Sequence, residues 1–138
     1  MSTIQVADVA FVAATPRRVA AALAGERRWR TWFPDLRLSV TDDRGERGLR
    51  WGVQGALAGT SEMWIEPALD GVLLHYFLHA EPTGAPPPAE VAAETRARRV
   101  AGRSAMLDVK FTAEEGRALG EPALTDDETA LDSGKGHR

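Results

Sequence analysis

The side chains able to move a proton or orient a polar ligand are few, and most fall on two short stretches. Residues 61–67 carry Glu62 and Glu66 on either side of Trp64, and residues 72–80 carry His75, Tyr76 and His79. A carboxyl held in a dry, aromatic site has its pKa raised and can act as a general acid or base, which makes Glu62 a candidate catalytic group. Histidine titrates near neutral pH without help, so His75 is a second candidate, as a general base. Cysteine is absent, which excludes disulfides, thiol nucleophiles and thiolate metal sites. Of the three histidines, His137 lies near the C-terminus. His75 and His79 are four apart, so on a strand they face the same way with Cβ atoms ~13 Å apart, too far to share one ion. No metal and no cofactor are expected. Tyr76 is the sole tyrosine. It suits either a ligand-orienting role or a core position with one hydrogen-bond partner.

Which of these groups face a core depends on the strands that hold them. Along residues 72–80 the more apolar face is Val72, Leu74, Tyr76, Leu78 and Ala80. It is predicted to turn inward, leaving His75 and His79 outside with Leu73 and Phe77. Met63 and Ile65 alternate with Glu62, Trp64 and Glu66, so Glu62 can be catalytic only if the second set faces inward. The expected placement is outward, with both acids solvated.

Three further strands are predicted, at residues 4–13, 36–41 and 49–57. The first has apolar residues on both faces and is expected to be covered on both sides. The last puts Leu49, Trp51, Val53, Gly55 and Leu57 on one face. Turns are expected at 42–45, at Ala58-Gly59 and at 69–71, giving an antiparallel meander. Residues 15–36 form a helical corner between strands. Thr15 is an N-cap, Pro16 fits the first turn, and Val19, Ala22 and Leu23 share a face. Gly25 stops that helix, and a second short one carries Trp29, Trp32 and Phe33, with Trp32 the expected anchor. Asp35 reads as a turn residue.

After a proline-rich loop, residues 89–117 read as one long helix. Val91, Ala105, Met106, Val109 and Ala113 form one apolar stripe, and Val100, Leu107 and Phe111 a second beside it. Gly102 inside it costs about 1 kcal/mol relative to alanine, so it implies close approach to the sheet or room for a ligand. Arg96, Arg98, Arg99 and Arg103 are expected on a solvated face. No aromatics interleave with them, so nucleic-acid binding is not expected.

At 138 residues with net charge −3, the chain reads as one domain over residues 1–118 followed by a disordered acidic tail over 119–138. No stretch has the length and apolarity of a membrane span or a secretory leader. With cysteine absent, a cytoplasmic location is the expectation.

The first strand ending in Ala13-Ala14-Thr15, then Pro16, the helix RRVAAAL and the run RRWRTWFPDL together resemble the N-terminal half of the SRPBCC superfamily. This is the START-like and polyketide-cyclase-like group, and the likeness continues more loosely to about Arg117. The resemblance implies an α+β helix-grip fold: a curved antiparallel sheet wrapped around a long C-terminal helix, with two short helices after the first strand. It also implies a cavity between sheet and helix walled by Phe11, Trp32, Trp51, Val53, Tyr76, Met106 and Val109. The function implied is non-catalytic binding of a small hydrophobic ligand, lipid or polyketide-like. The alternatives are a cyclase- or dehydratase-like enzyme and a protein-interaction or toxin-like regulatory module. The chain departs from the group at Gly102, where a bulky aromatic is common, and in having five predicted strands rather than six or seven. A smaller sheet implies a more open cavity and an apolar patch that a homodimer would cover.

Overall fold

In the computed structural model, which describes residues 3–115, the helical corner forms where its capping residues stand. Thr15 Oγ1 accepts the Arg18 N–H at 3.2 Å, and helix α1 (Pro16–Leu23) buries Val19, Ala22 and Leu23. Gly25, at φ 137°, separates it from α2 (Glu26–Trp32). The strands are β1 (Ile4–Val12), β2 (Leu36–Asp43), β3 (Gly48–Gly55), β4 (Leu57–Ala68) and β5 (Gly71–Pro82), followed by α3 (Pro88–Ala113).

The five strands make one antiparallel sheet in the order β1-β5-β4-β3-β2. Thus β2 to β5 form a meander, and β1 returns to pair with β5, placing Ile4 opposite Ala80 and Val12 opposite Val72. The two edges are β1 and β2. Helix α3 lies across the inner face and buries Gly102, Ala105, Met106, Val109 and Ala113. The inner face of β5 is Val72, Leu74, Tyr76, Leu78 and Ala80, all buried, as the alternation predicts.

Two local expectations are corrected. The turn expected at Ala58-Gly59 falls instead at Gly55-Ala56, because Ala58 and Gly59 are paired with Glu81 and Ala80 on β5. Gly55 has φ 113°, and a Cβ there would lie 2.6 Å from the Asp35 carbonyl oxygen, which also accepts the Ala56 N–H at 3.1 Å. Only glycine fits that left-handed, crowded position. Among the described residues, strand β1 is covered on one side only. Ile4, Val6, Ala10 and Val12 are buried, whereas Val9 on the other face is exposed. The proposed tail lies outside the described residues.

Candidate ligand-binding site

The centre of the inner face is closed by an aromatic ring. A Cβ built on Gly102 would overlap the Tyr76 ring, at 2.9 Å from Cδ2 and closer still to Cε2. The missing side chain therefore admits Tyr76 against the α3 backbone rather than leaving space. Phe33 stacks on the other side of Tyr76, with centroids 6.3 Å apart and planes inclined by 18°. Burial pushes the Tyr76 pKa up to about 12, against a smaller lowering by Ser61 and Arg98. Trp51, Val53, Met106 and Val109 are buried in the same core.

Arg98 holds α3 to the corner. Its guanidinium forks onto Asp35 through Nη1–Oδ1 at 3.0 Å and Nη2–Oδ2 at 2.6 Å, and its Nε donates to Glu94 Oε2 at 2.7 Å. The hydrogen-bonded Arg98 holds the Asp35 carboxyl below its ordinary 3.8. The expected solvated face therefore loses one member: Arg98 is 7% exposed, while Arg96, Arg99 and Arg103 are exposed. Its spacing from Val91, Gly102, Ala105 and Val109 puts it on the buried stripe of α3, and that spacing was the available signal. Asp35 is its partner as well as a turn residue.

Toward β2 the packing opens. Leu36, Leu38 and Val40 continue the inner face beside Gly55, Val53 and Trp51. Leu36 is buried, Leu38 half-buried and Val40 43% exposed, because α3 does not reach this edge. A pocket of about 450 Å³ lies between α2 and β2, bounded by the apolar Trp29, Pro34, Leu36 and Leu38 and by the polar Glu26, Arg30, Arg37 and Ser39. A larger groove of about 630 Å³ runs along the start of α3, past Pro86, Pro88, Val91, Arg96 and Arg99. It is shallower and more open, so the α2–β2 pocket offers the better enclosure for an apolar body. Trp29 forms one wall of that pocket and meets Trp51 edge-on, with centroids 5.4 Å apart and planes at 73°. Trp29 Nε1 donates to the Leu23 carbonyl at 2.8 Å, but Trp51 Nε1, fully buried, has no partner among the described residues. Leaving a buried donor unpaired costs about 1–3 kcal/mol.

The anchors of the corner are Trp29 and Phe33, both buried. Trp32 is half-buried, and its Nε1 reaches Asp108 Oδ2 at 2.8 Å. The expected anchor is thus a rim residue, because a seven-residue helix can point only part of its aromatic set at the sheet. Phe11 does not join the inner wall. It sits on the outer face of β1 opposite Leu73.

The candidate acid and base also lie on the outer face, away from α3. Glu62 Oε2 accepts from Arg44 Nη1 at 2.8 Å. The His75 ring stacks on Trp64 at 4.7 Å and its Nε2 contacts Glu66 Oε1 at 2.9 Å. His79 is exposed. These groups are ion-paired or stacked on the side of the sheet opposite Tyr76. Among the described residues, no group of three or more histidines, aspartates or glutamates is gathered for a metal ion, and no helix is long and apolar enough to cross a membrane.

No family model and no curated protein matches the chain. Solved structures do. The Aha1 dimer from Colwellia psychrerythraea is similar at TM-score 0.59 and 11% identity, covering 83% of this chain and 99% of that one. A Polyketide_cyc-like protein from Corynebacterium glutamicum covers 100% of this chain and 99% of its own, at TM-score 0.53 and 16% identity. This chain has the helix-grip fold. The di-domain ARO/CYC StfQ from the steffimycin biosynthetic pathway matches 81% of it at TM-score 0.54 and 14% identity, over 51% of the StfQ chain. At such identities the likeness is one of fold, and helix-grip proteins share a scaffold more than a chemistry.

Proposed function

We propose that this helix-grip protein binds a small hydrophobic ligand, lipid or polyketide-like, without turning it over. The observation that carries the reading is the α2–β2 pocket, where the apolar inner face runs out from under α3 and about 450 Å³ lies against Trp29, Leu36 and Leu38. Pockets of this size, apolar with a few polar groups, suit small-molecule binding. The site is displaced from the expected one. Trp51 and Val53 lie just behind the pocket, whereas Tyr76, Met106 and Val109 belong to the closed centre. The cyclase- or dehydratase-like alternative draws no support from Glu62 or His75, which lie on the outer face. Cysteine is absent from the whole sequence, which suits a cytoplasmic setting.

Native mass spectrometry of freshly purified protein tests the reading, together with a panel of fluorescent lipids and aromatic polyketides. Co-purified apolar mass, or micromolar binding of any panel member, is the expected result. No bound mass and no binding would remove it.

One observation favours a second reading, a protein-interaction module. On α3, Val100 is 71% and Phe111 64% exposed, in the same stripe as half-buried Leu107. A homodimer covering this stripe would be lost on Phe111→Glu, as sedimentation velocity would report.

A further inference from the structure

Among the described residues, Trp51 Nε1 is the buried side-chain nitrogen that has no hydrogen-bond partner. It belongs to a residue with 0% exposure at the centre of β3, between Val40 of β2 and Ser61 of β4. Buried indole N–H groups ordinarily find an acceptor, as Trp29 does in the Leu23 carbonyl. Trp29 both packs edge-on against Trp51 and lines the α2–β2 pocket, and it rides on a seven-residue helix whose N-cap, Gly25, supplies no side-chain bond. By contrast Tyr76, the polar group expected to orient a ligand, is walled in by Phe33 and the Gly102 turn of α3.

We infer that Trp51 Nε1–H is the polar recognition group of the site, donating to a carbonyl or ether oxygen on an otherwise apolar ligand that reaches it from the α2–β2 pocket past Trp29. The inference rests on the proposed ligand-binding function and sharpens it to a ligand class: apolar bodies carrying one uncharged acceptor. The indole donor is neutral and fully buried, so the group that meets it is an uncharged acceptor, because a carboxylate taken that deep would leave the solvent and the arginines, Arg30 and Arg37, that line the pocket itself. A pure hydrocarbon would fit but leave the donor unpaired.

The test uses the full chain and two probes of the same shape, acetylnaphthalene and isopropylnaphthalene, titrated calorimetrically into wild type and Trp51→Phe. Wild type is expected to prefer the ketone by roughly three- to tenfold, the worth of one neutral hydrogen bond. Trp51→Phe is expected to erase that preference, read as the ratio of the two affinities within the variant. Should the variant fail to fold, the wild-type indole N–H resonance of Trp51 decides alone: it should move downfield with the ketone and stay with the hydrocarbon. Binding of both probes with a preference that survives Trp51→Phe, or with an unmoved indole resonance, overturns the inference and leaves the binding function standing. An indole N–H that keeps a cross-peak to a bound water in the ketone complex overturns it as well. Failure of both probes to bind removes the binding function and this inference together.

Discussion

The two halves of the inner sheet face are built from similar residues and end in opposite states. Under α3, Tyr76 lies between Gly102 and Phe33 and is buried. At the β2 end, Leu38 is half-buried, Val40 is exposed and the Trp51 indole donor has no partner among the described residues. The difference comes from where α3 lies. A helix that crosses β1 and β5 and is pinned by Arg98 to Asp35 cannot also cover β2, and the short α2 covers it only in part. Close packing on one side therefore fixes the opening on the other. Gly102 serves the closed half by admitting the ring, whereas at sequence level it reads equally well as room for a ligand.

If the halves differ as described, truncations should separate them most. Phe33→Ala in the closed half should lower unfolding free energy by about 3–5 kcal/mol. Leu38→Ala at the β2 end should cost only about 1 kcal/mol, since much of that side chain already meets solvent. Equal losses in denaturant titrations would erase the contrast. Next in size, Gly102→Ala forces a Cβ into a rigid buried ring, and should cost about 1–3 kcal/mol despite the better helix propensity. In a Tyr76→Ala background the same change should become stabilising by about 0.5–1 kcal/mol. Persistence of the penalty in that background would place its cause elsewhere than the ring.

Smaller effects test the clamp. Asp35→Asn should cost about 0.5–1.5 kcal/mol at neutral pH, discounted because Asp35 is half-exposed. Since Arg98 depresses the Asp35 pKa, the pair's contribution is present above the ordinary 3.8 and fades as pH falls through the lower folded value. The variant should therefore lose less stability than wild type on acidification below about pH 4. The smallest effect at neutral pH belongs to the Tyr76 phenol, whose pKa is raised from 10.0 to about 12. Its contribution is complete below pH 10.0 and is lost as pH rises toward 12. As the only tyrosine, it can be followed by its phenolate absorbance. An ordinary midpoint near 10 would mean that the centre is wet.

The architecture was legible in the sequence because it rests on local signals: Thr15 and Pro16 for α1, alternation for β4 and β5, Asp70-Gly71 for their turn. The orientation of β5, with Tyr76 in and His75 out, followed from the same alternation. The site was less legible because it depends on tertiary reach. Phe11 and Ala10 are both apolar, and only the placement of α3 on the Ala10 side of β1 decides that, among the described residues, Phe11 lies outside. The turn at Gly55 was missed because the crowding that demands glycine comes from Asp35, distant in sequence. Arg98 was misplaced because its type outweighed its spacing, although that spacing lies on the apolar stripe.

Amide shift mapping of the isotope-labelled chain during titration with acetylnaphthalene tests the central claim most directly. The claim is that an apolar ligand is held at the open β2 end while the centre stays closed. The expected result is a set of perturbed amides centred on Trp29, Leu36, Leu38 and Trp51, with Tyr76, Gly102 and Met106 unmoved. Perturbations centred on Tyr76 and Gly102 would contradict it, and so would a spectrum that does not change at all.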